Sequence, residues 1–175
     1  MFLSTIACTA RSDYEAHQHL HHFFREQERV FLWRWAGPVS VTVLSIRPPV
    51  ETVRAARIDP ARVPSGRPLS FDLRVVAAKC KRREGKLGAK VPIRSHGERR
   101  AWLAAKLAEA GSELRFAHFE DAEILAKDGL RIIGAETTGV LIVHDRARFL
   151  ARLQQGFGRN RAFGCGLLWL PEVFA

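Results

Sequence analysis

The order of two hydrophobic periods along the first 46 residues restricts the possible folds. Residues 2–8 form an apolar run typical of a buried strand, and apolar positions then recur at helical spacing over 13–27, with Ser12 or Asp13 available as the N-cap. Two β-rich segments follow at 31–35 and 39–46, and the turn-forming break between them predicts an antiparallel hairpin. The chain therefore begins with a strand, a helix and two strands.

The next part of the sequence predicts how this first unit ends. The segment 47–67 is rich in proline and has the composition of an irregular stretch, with room for one helical turn. Strand composition resumes at 69–78. With this strand the first half becomes β-α-β-β-(short α)-β.

The second half predicts the same order of elements. Helices are expected at 98–110 and 145–155, and strands at 114–119, 130–143 and 162–170. Its first strand would come from 91–94 or from the end of the preceding strand. We therefore predict an α+β fold class with two tandem ferredoxin-like (RRM-like, βαββαβ) domains.

A strongly basic segment lies between the two halves. Its cationic residues are Lys79, Lys81, Arg82, Arg83, Lys86, Lys90 and Arg94. Two glycines interrupt the segment, which indicates a solvent-exposed connection. We place the N-terminal domain at 1–80, a basic junction at 81–95 and the C-terminal domain at 96–175.

The overall charge indicates an anionic partner. Lysine and arginine number 28 against 18 acidic residues, which gives a net charge of +10. Such an excess is typical of proteins that bind a polyanion, with nucleic acid the leading candidate and an anionic membrane the second. A role in solubility alone remains an alternative. The cations of the basic segment, apart from Arg94, are candidate nucleic-acid contacts.

Cysteine usage and apolar run lengths bear on the compartment. Three cysteines lie far apart without a CxxC pair, so neither a disulfide framework nor a cysteine-ligated zinc site is expected. The N-terminus lacks the features of a signal peptide, and no apolar run reaches the roughly 18 residues of a membrane span. We expect a cytoplasmic protein that has no membrane partner.

A glycine-rich string between the last predicted helix and strand is the most specific motif in the chain. Its key residues are Gly156, Gly158, Arg159, Arg161, Gly164 and Gly166. The spacing fits neither a dinucleotide-binding fingerprint nor a P-loop. Glycine lets main-chain N–H groups approach a ligand and arginine adds positive charge, so we predict that these residues bind a nucleic-acid backbone. The alternative is a tight turn with incidental arginines.

The predicted first helix carries histidines and the only tyrosine on one flank. On a helical wheel Tyr14, His17 and His21 fall within roughly 60° of each other, beside the apolar stripe that holds the helix to the sheet. A histidine pair at i and i+4 also suits zinc, but no HExxH motif or evident third ligand accompanies it, so no metal is expected. A solvated, histidine-rich face is the other alternative.

Histidine and tyrosine on a basic protein suit metal-independent RNA cleavage. The substrate brings its own nucleophile, the 2′-hydroxyl, so the enzyme needs a general base, a general acid and positive charge for the phosphorane. Histidine titrates near the working pH. The candidate catalytic residues are His17 and Tyr14, with their acid and base roles left open, and no cofactor is expected.

Five segments in order resemble the CasE-type CRISPR endoribonucleases, which mature crRNA within the Cascade complex. The matching segments are Met1-Phe2-Leu3-Ser4, 14–24 (YEAHQHLHHFF), 101–107 (AWLAAKL), 138–143 (TGVLIV), and the ending from 153–158 (LQQGFG) through 163–168 (FGCGLL). The resemblance covers most of the chain. A glycine-rich loop alone would be weak evidence for this family. Five matching segments in the family's order are specific evidence for the resemblance.

The resemblance implies two ferredoxin-like folds and a function. Members cleave a CRISPR repeat hairpin at the 3′ base of its stem, leave a 2′,3′-cyclic phosphate and a 5′-hydroxyl, and typically stay on the crRNA beside other Cascade-like subunits. The family's catalytic histidine falls on His17, its helper tyrosine on Tyr14, and the basic position of its loop on Arg161. Relatives carry a longer segment between Phe119 and Leu130 that helps to hold the RNA stem.

Two other functions remain compatible with the residues. The first is a non-catalytic RNA-binding subunit of the same fold, in which His17 and Tyr14 line the RNA path. The second is a structural module whose basic face docks onto a partner. Repeat RNA presented without metal distinguishes an enzyme from both.

Overall fold

The strands among the described residues form two four-stranded sheets and a separate two-stranded hairpin. The computed structural model describes residues 1–24, 31–50, 53–83 and 86–174, without the side chains of 81–83, 86, 87 and 89. Among the described residues, no helix is both long enough and apolar enough to cross a bilayer.

The first sheet forms from the N-terminal third of the chain. Its elements are β1 (Phe2–Ala7), α1 (Asp13–His21), β2 (Phe31–Gly37), β3 (Ser40–Ser45) and β4 (Ala55–Arg57). The strand order is β2-β3-β1-β4, and every neighbouring pair is antiparallel. Of the two predicted N-caps, Ser12 is the one observed, because its side chain accepts a hydrogen bond from the Glu15 N–H.

The second sheet forms from the rest of the chain. The elements are β5 (Pro68–Val75), β6 (Ala78–Arg83), β7 (Lys86–Pro92), α2 (His96–Glu109), β8 (Ser112–Leu125), β9 (Arg131–Val143), α3 (Arg146–Gln155), β10 (Leu168–Trp169) and α4 (Pro171–Phe174). The sheet order is β10-β5-β9-β8, and β6 pairs only with β7 within the described residues. The predicted basic junction is therefore largely a β-hairpin that leaves the second sheet after β5 and returns to α2.

Each four-stranded sheet has the same topology. Numbered within its own unit, each follows the order 4-1-3-2, which is that of a ferredoxin-like sheet. The second unit has both helices, α2 after its first strand and α3 after its third, while α1 follows the first strand of the first unit. The predicted α+β fold with tandem ferredoxin-like sheets is confirmed.

The assignment of the strand at 69–78 to the first unit is wrong. This segment forms β5, which pairs with β9 from Pro68 to Val75 and with β10, in the second sheet. The fourth strand of the first sheet is instead β4, which lies within the proline-rich stretch and has only three residues. Strand composition predicts a strand but carries no information on which distant strand will pair with it.

Three other predicted elements differ in extent. The predicted helix at 13–27 ends at His21, and residues 25–27 lie outside the described part. The strand predicted at 114–119 extends over Ser112–Leu125. The strand predicted at 162–170 is reduced to Leu168–Trp169, because Gly164 and Gly166 adopt positive φ angles that a strand does not accommodate.

Two hydrophobic clusters hold the helices to the sheets. On the first sheet, Ala16 and Leu20 of α1 are buried against Trp33, Val41 and Val43. The larger cluster packs α2 and α3 on the second sheet through residues that include Leu103, Leu107, Phe149 and Leu153. Leu32 and Leu44 of the first sheet join this larger cluster, so apolar packing is continuous between the two units.

A buried carboxylate joins the start of α1 to the second unit. Asp13 is 5% exposed and accepts hydrogen bonds from Arg74 Nη1 at 2.7 Å, the Leu125 N–H at 2.9 Å and Trp35 Nε1 at 2.9 Å. Arg74 is on β5, Leu125 on β8 and Trp35 on β2. One side chain therefore ties together α1 and three strands from both sheets.

Replacing Asp13 by alanine is expected to lower the free energy of unfolding by about 3–5 kcal/mol. The substitution removes one of the two carboxylates that contact the Arg74 guanidinium, the other being Glu136 at 3.2 Å, and it also removes the acceptor of Trp35 Nε1 and the Leu125 N–H in a site that is mostly shielded from water. Urea denaturation followed by tryptophan fluorescence measures the loss. Glu109→Ala is the control, because it removes the more exposed Lys106–Glu109 ion pair, worth at most about 1 kcal/mol. Equal losses in the two variants would contradict the assigned role of Asp13.

Candidate active site

Two histidines on α1 touch each other one helical turn apart. The Nε2 atoms of His17 and His21 are 3.2 Å apart, and the two ring centroids are 4.5 Å apart in an edge-to-face arrangement. The Phe31 ring on β2 packs beside both, with centroid distances of 5.8 Å to His17 and 5.6 Å to His21. His17 is half-buried and His21 is exposed. This places a paired imidazole group at the protein surface.

The other residues of the histidine-rich helix have different surroundings. Tyr14 lies one turn before His17 and is half-buried, so it belongs to the same flank. His19 Nε2 lies 3.0 Å from the Ala7 carbonyl oxygen, and His22 Nδ1 lies 3.1 Å from the His19 carbonyl oxygen. His19 and His22 therefore contact backbone groups, whereas His17 and His21 contact each other.

A cavity lies beside the histidine pair. It has a volume of about 360 Å³, and its walls include Phe31 from β2, Gln154 and Gln155 from α3, and Arg161 from the glycine-rich loop. Phe31 also contacts both histidine rings. The 3-10 turn Arg161–Phe163 packs against α1. The tertiary structure thus brings the predicted catalytic helix and the predicted loop arginine to the same region.

The glycines of the loop are required for packing inside the protein. All four have φ between 70° and 89°, and a side chain would collide with Leu32 at Gly156, with Val75 at Gly158 and with the Phe157 carbonyl oxygen at Gly166. At Gly164 it would press on the Trp33 ring. These contacts explain the glycines without a ligand.

The loop uses some of its N–H groups internally. The Gly156 N–H donates to the Arg152 carbonyl oxygen at 2.9 Å, and the Gly166 N–H donates to the Arg74 carbonyl oxygen at 2.8 Å. These two N–H groups are therefore engaged within the fold. A role in RNA binding for Gly156, Gly158, Gly164 and Gly166 stays a prediction.

The predicted cationic contacts occupy different places. Arg159 is exposed and Arg161 is half-buried, both on the glycine-rich loop. Lys79 and Lys90 are exposed on the β6–β7 hairpin, where Lys79 pairs with Glu98 of α2. The side chains of Lys81, Arg82, Arg83 and Lys86 lie outside the described part.

Comparison with known proteins decides the family. The family model described as CRISPR associated protein matches residues 3–171. The chain is 32% identical over 200 residues to the CRISPR system Cascade subunit CasE of Escherichia coli (strain K12), with 99% of this chain and 100% of that protein covered. The chain belongs to the CasE-type CRISPR-associated proteins.

Solved structures support the same relationship. The chain is similar to Thermus thermophilus Cse3 bound to an RNA representing a pre-cleavage complex, with a TM-score of 0.79 and 25% identity, over 97% of this chain and 98% of that one. It is also similar to the CRISPR-associated protein Cas6e from Escherichia coli K-12, with a TM-score of 0.77 and 27% identity, over 97% and 98% of the two chains. The resemblance found in the sequence is confirmed at the level of family and fold.

The described part of this CasE-type protein offers neither a metal cluster nor a reactive thiol at the site. No group of three or more His, Cys, Asp or Glu side chains that could hold an ion lies within it. Burial raises the pKa of the Cys165 thiol to about 12, which makes the thiolate nucleophile scarce. The imidazoles and the guanidinium near the cavity can provide proton transfer and charge stabilisation.

Sequence reasoning missed several residues that build the site. The sequence predicts Phe31 only as a strand residue, although its ring contacts both histidines and also lines the cavity. The sequence places His21 on the same flank as His17 without marking it as a catalytic residue. The i, i+4 spacing was the signal, because side chains four apart on a helix are neighbours. Nothing local in the sequence indicates that Gln154 and Gln155 reach the same cavity.

Replacing Gly166 by alanine is expected to cost about 2–5 kcal/mol of unfolding free energy. The residue has a φ of 89°, and its new Cβ would lie 2.6 Å from the Phe157 carbonyl oxygen, so backbone strain and a steric clash add. Gly66→Ala is the matched control, since Gly66 has a φ of 74° but open space around it, and strain alone costs about 1–2 kcal/mol. Urea denaturation measures the free energy of unfolding of the Gly166→Ala and Gly66→Ala variants. A loss no larger at Gly166 than at Gly66 would contradict the packing role.

Proposed function

We propose that this CasE-type protein is a metal-independent endoribonuclease that cleaves CRISPR repeat RNA. The observation that carries the proposal is the His17–His21 pair next to a cavity lined by Arg161, on a chain with a net charge of +10. Similarity over nearly the whole chain to a protein titled Cse3 in a pre-cleavage RNA complex supports this function. Paired imidazoles and a nearby cation are suited to phosphodiester transfer.

The proposed reaction is an internal transesterification. The 2′-oxygen of the nucleotide before the scissile phosphate forms a bond to phosphorus, and the bond from phosphorus to the 5′-oxygen breaks. One proton leaves the 2′-hydroxyl and one proton reaches the departing 5′-oxygen. The products are a 2′,3′-cyclic phosphate and a 5′-hydroxyl, and we place the cut at the 3′ base of the repeat hairpin.

The residues have separate roles in this reaction. His17 transfers a proton, because imidazole gains and loses protons near neutral pH. Tyr14 orients or assists from the preceding turn of α1. Arg161 stabilises the additional negative charge of the phosphorane from the loop packed on the same helix.

The positive charge away from the cavity is proposed to hold the RNA. Lys79 and Lys90 project from the β6–β7 hairpin, and Arg159 lies on the glycine-rich loop, all exposed. Such contacts position the RNA backbone without reading its sequence. The relative named Cascade subunit CasE supports the further proposal that the protein stays on its crRNA product beside other subunits of a Cascade-like complex.

His17→Ala is expected to reduce the single-turnover cleavage rate by a factor on the order of 10² to 10⁴, while hairpin affinity stays within a few fold. A proton-transfer group contributes mainly to the transition state and little to ground-state binding. Tyr14→Phe should slow cleavage less, since it removes one hydroxyl and keeps the ring. The rates are measured with labelled repeat RNA and excess enzyme. A fully active His17→Ala variant would mean that a different group performs the proton transfer.

Cleavage is expected to continue in excess EDTA and to stop on RNA with a 2′-deoxy sugar before the scissile phosphate, although that RNA still binds. Internal attack requires the 2′-hydroxyl, whereas two-metal hydrolysis uses bound water and does not need it. Gel analysis measures cleavage of the all-ribose RNA and of the 2′-deoxy RNA, and a binding assay measures the affinity for each. The matched control carries the deoxy sugar one nucleotide further upstream and should be cut normally. Cutting of the first deoxy substrate would exclude the proposed mechanism.

A further inference from the structure

The contact between His17 and His21 fixes the relationship between their ring protons. Their Nε2 atoms are 3.2 Å apart, within hydrogen-bonding distance. An N–H···N hydrogen bond needs one nitrogen that carries hydrogen and one that offers a lone pair. While the bond exists, the Nε2 hydrogen therefore lies on one of the two rings and points at the other.

The burial of the two rings assigns a direction to proton movement. The Nδ1 atom of His17 is buried, so Nε2 is the nitrogen left for exchange at the surface, and this is the atom that contacts His21. The His21 side chain is exposed to solvent. The Phe31 ring packs beside both imidazoles, tilted against His17 and edge-on to His21. A proton that enters or leaves His17 at Nε2 thus has His21 as its imidazole neighbour on the solvent side.

We propose that His21 is a positioning residue that relays protons between His17 Nε2 and solvent. This inference rests on the proposed function. In the cleavage reaction one proton leaves the 2′-hydroxyl and one reaches the 5′-oxygen, so a histidine that performs one of these transfers ends the step with one proton too many or too few. Before the step His17 must therefore carry, or lack, the proton that it will transfer, and exchange along the N–H···N bond with His21 and then with water sets this state without any other reactant.

The relay is tested by substitutions that separate hydrogen bonding from proton transfer. His21→Gln keeps an amide that can hydrogen-bond to His17 but cannot carry a proton at neutral pH, and His21→Ala removes both properties. Both variants should lower the single-turnover rate on repeat hairpin RNA by about 10- to 100-fold, with hairpin affinity changed by no more than about twofold. The unchanged affinity also shows that each variant is folded.

Added imidazole provides the readout that a purely structural role would not change. Free imidazole should raise the cleavage rate of His21→Ala several fold, because the position is open to solvent and the shortened side chain leaves room for the ring. The control is His22→Ala, which removes an exposed histidine of the same helix end that contacts backbone rather than His17. This control should cleave at the wild-type rate, with and without imidazole.

Each outcome supports or overturns the relay. A wild-type rate in His21→Ala or His21→Gln overturns it, as does a loss confined to affinity or the absence of rescue by imidazole. If the wild-type protein fails to cleave the hairpin, the proposed function itself is ruled out. If the wild-type protein cleaves the hairpin and the His21 variants cleave it at the same rate, the relay is ruled out while the proposed function stands.

Discussion

The buried ion pair between Asp13 and Arg74 is the constraint on which the geometry of the site depends. Asp13 is the first residue of α1, and Arg74 lies on β5 of the other sheet. A carboxylate at a helix N-terminus is favoured by the helix dipole, and this one also accepts hydrogen bonds from Trp35 and the Leu125 backbone. Because the main-chain carbonyl of Arg74 accepts from the Gly166 N–H, the same β5 residue holds both α1 and the glycine-rich loop.

This arrangement separates structural from chemical roles within one short loop. The glycines have the backbone angles and the close contacts needed to pack the loop against Leu32, Trp33 and Val75. Arg161 is then left at the cavity beside the histidine pair. A glycine-rich loop near arginines resembles an anion cradle in sequence, yet here the main-chain N–H groups of Gly156 and Gly166 are used for folding. In the proposed function the loop therefore contributes the Arg161 side chain, while the N–H groups of Gly156 and Gly166 serve the fold.

The prediction of the fold was strongest where a pattern is long and local. The helices α2 and α3 have regular apolar spacing, and their observed bounds lie within two residues of the predicted ones. The strand β4 has three residues among prolines, which is too short for any period to be visible. The strand β5 was recognised as a strand but assigned to the wrong sheet, because its partners β9 and β10 lie more than 50 residues away in the sequence.

The sequence by itself determined the flank of α1 that carries Tyr14, His17 and His21, the apolar faces that pack the helices, and the family. Those properties follow from residue spacing along one element, where backbone geometry is fixed by local hydrogen bonds. Only the tertiary structure decided that β5 belongs to the second sheet, that Arg161 and Phe31 border one cavity, and that Asp13 is buried against Arg74. These depend on contacts between distant segments, and local periodicity leaves such pairings undetermined because many partners satisfy the same apolar pattern.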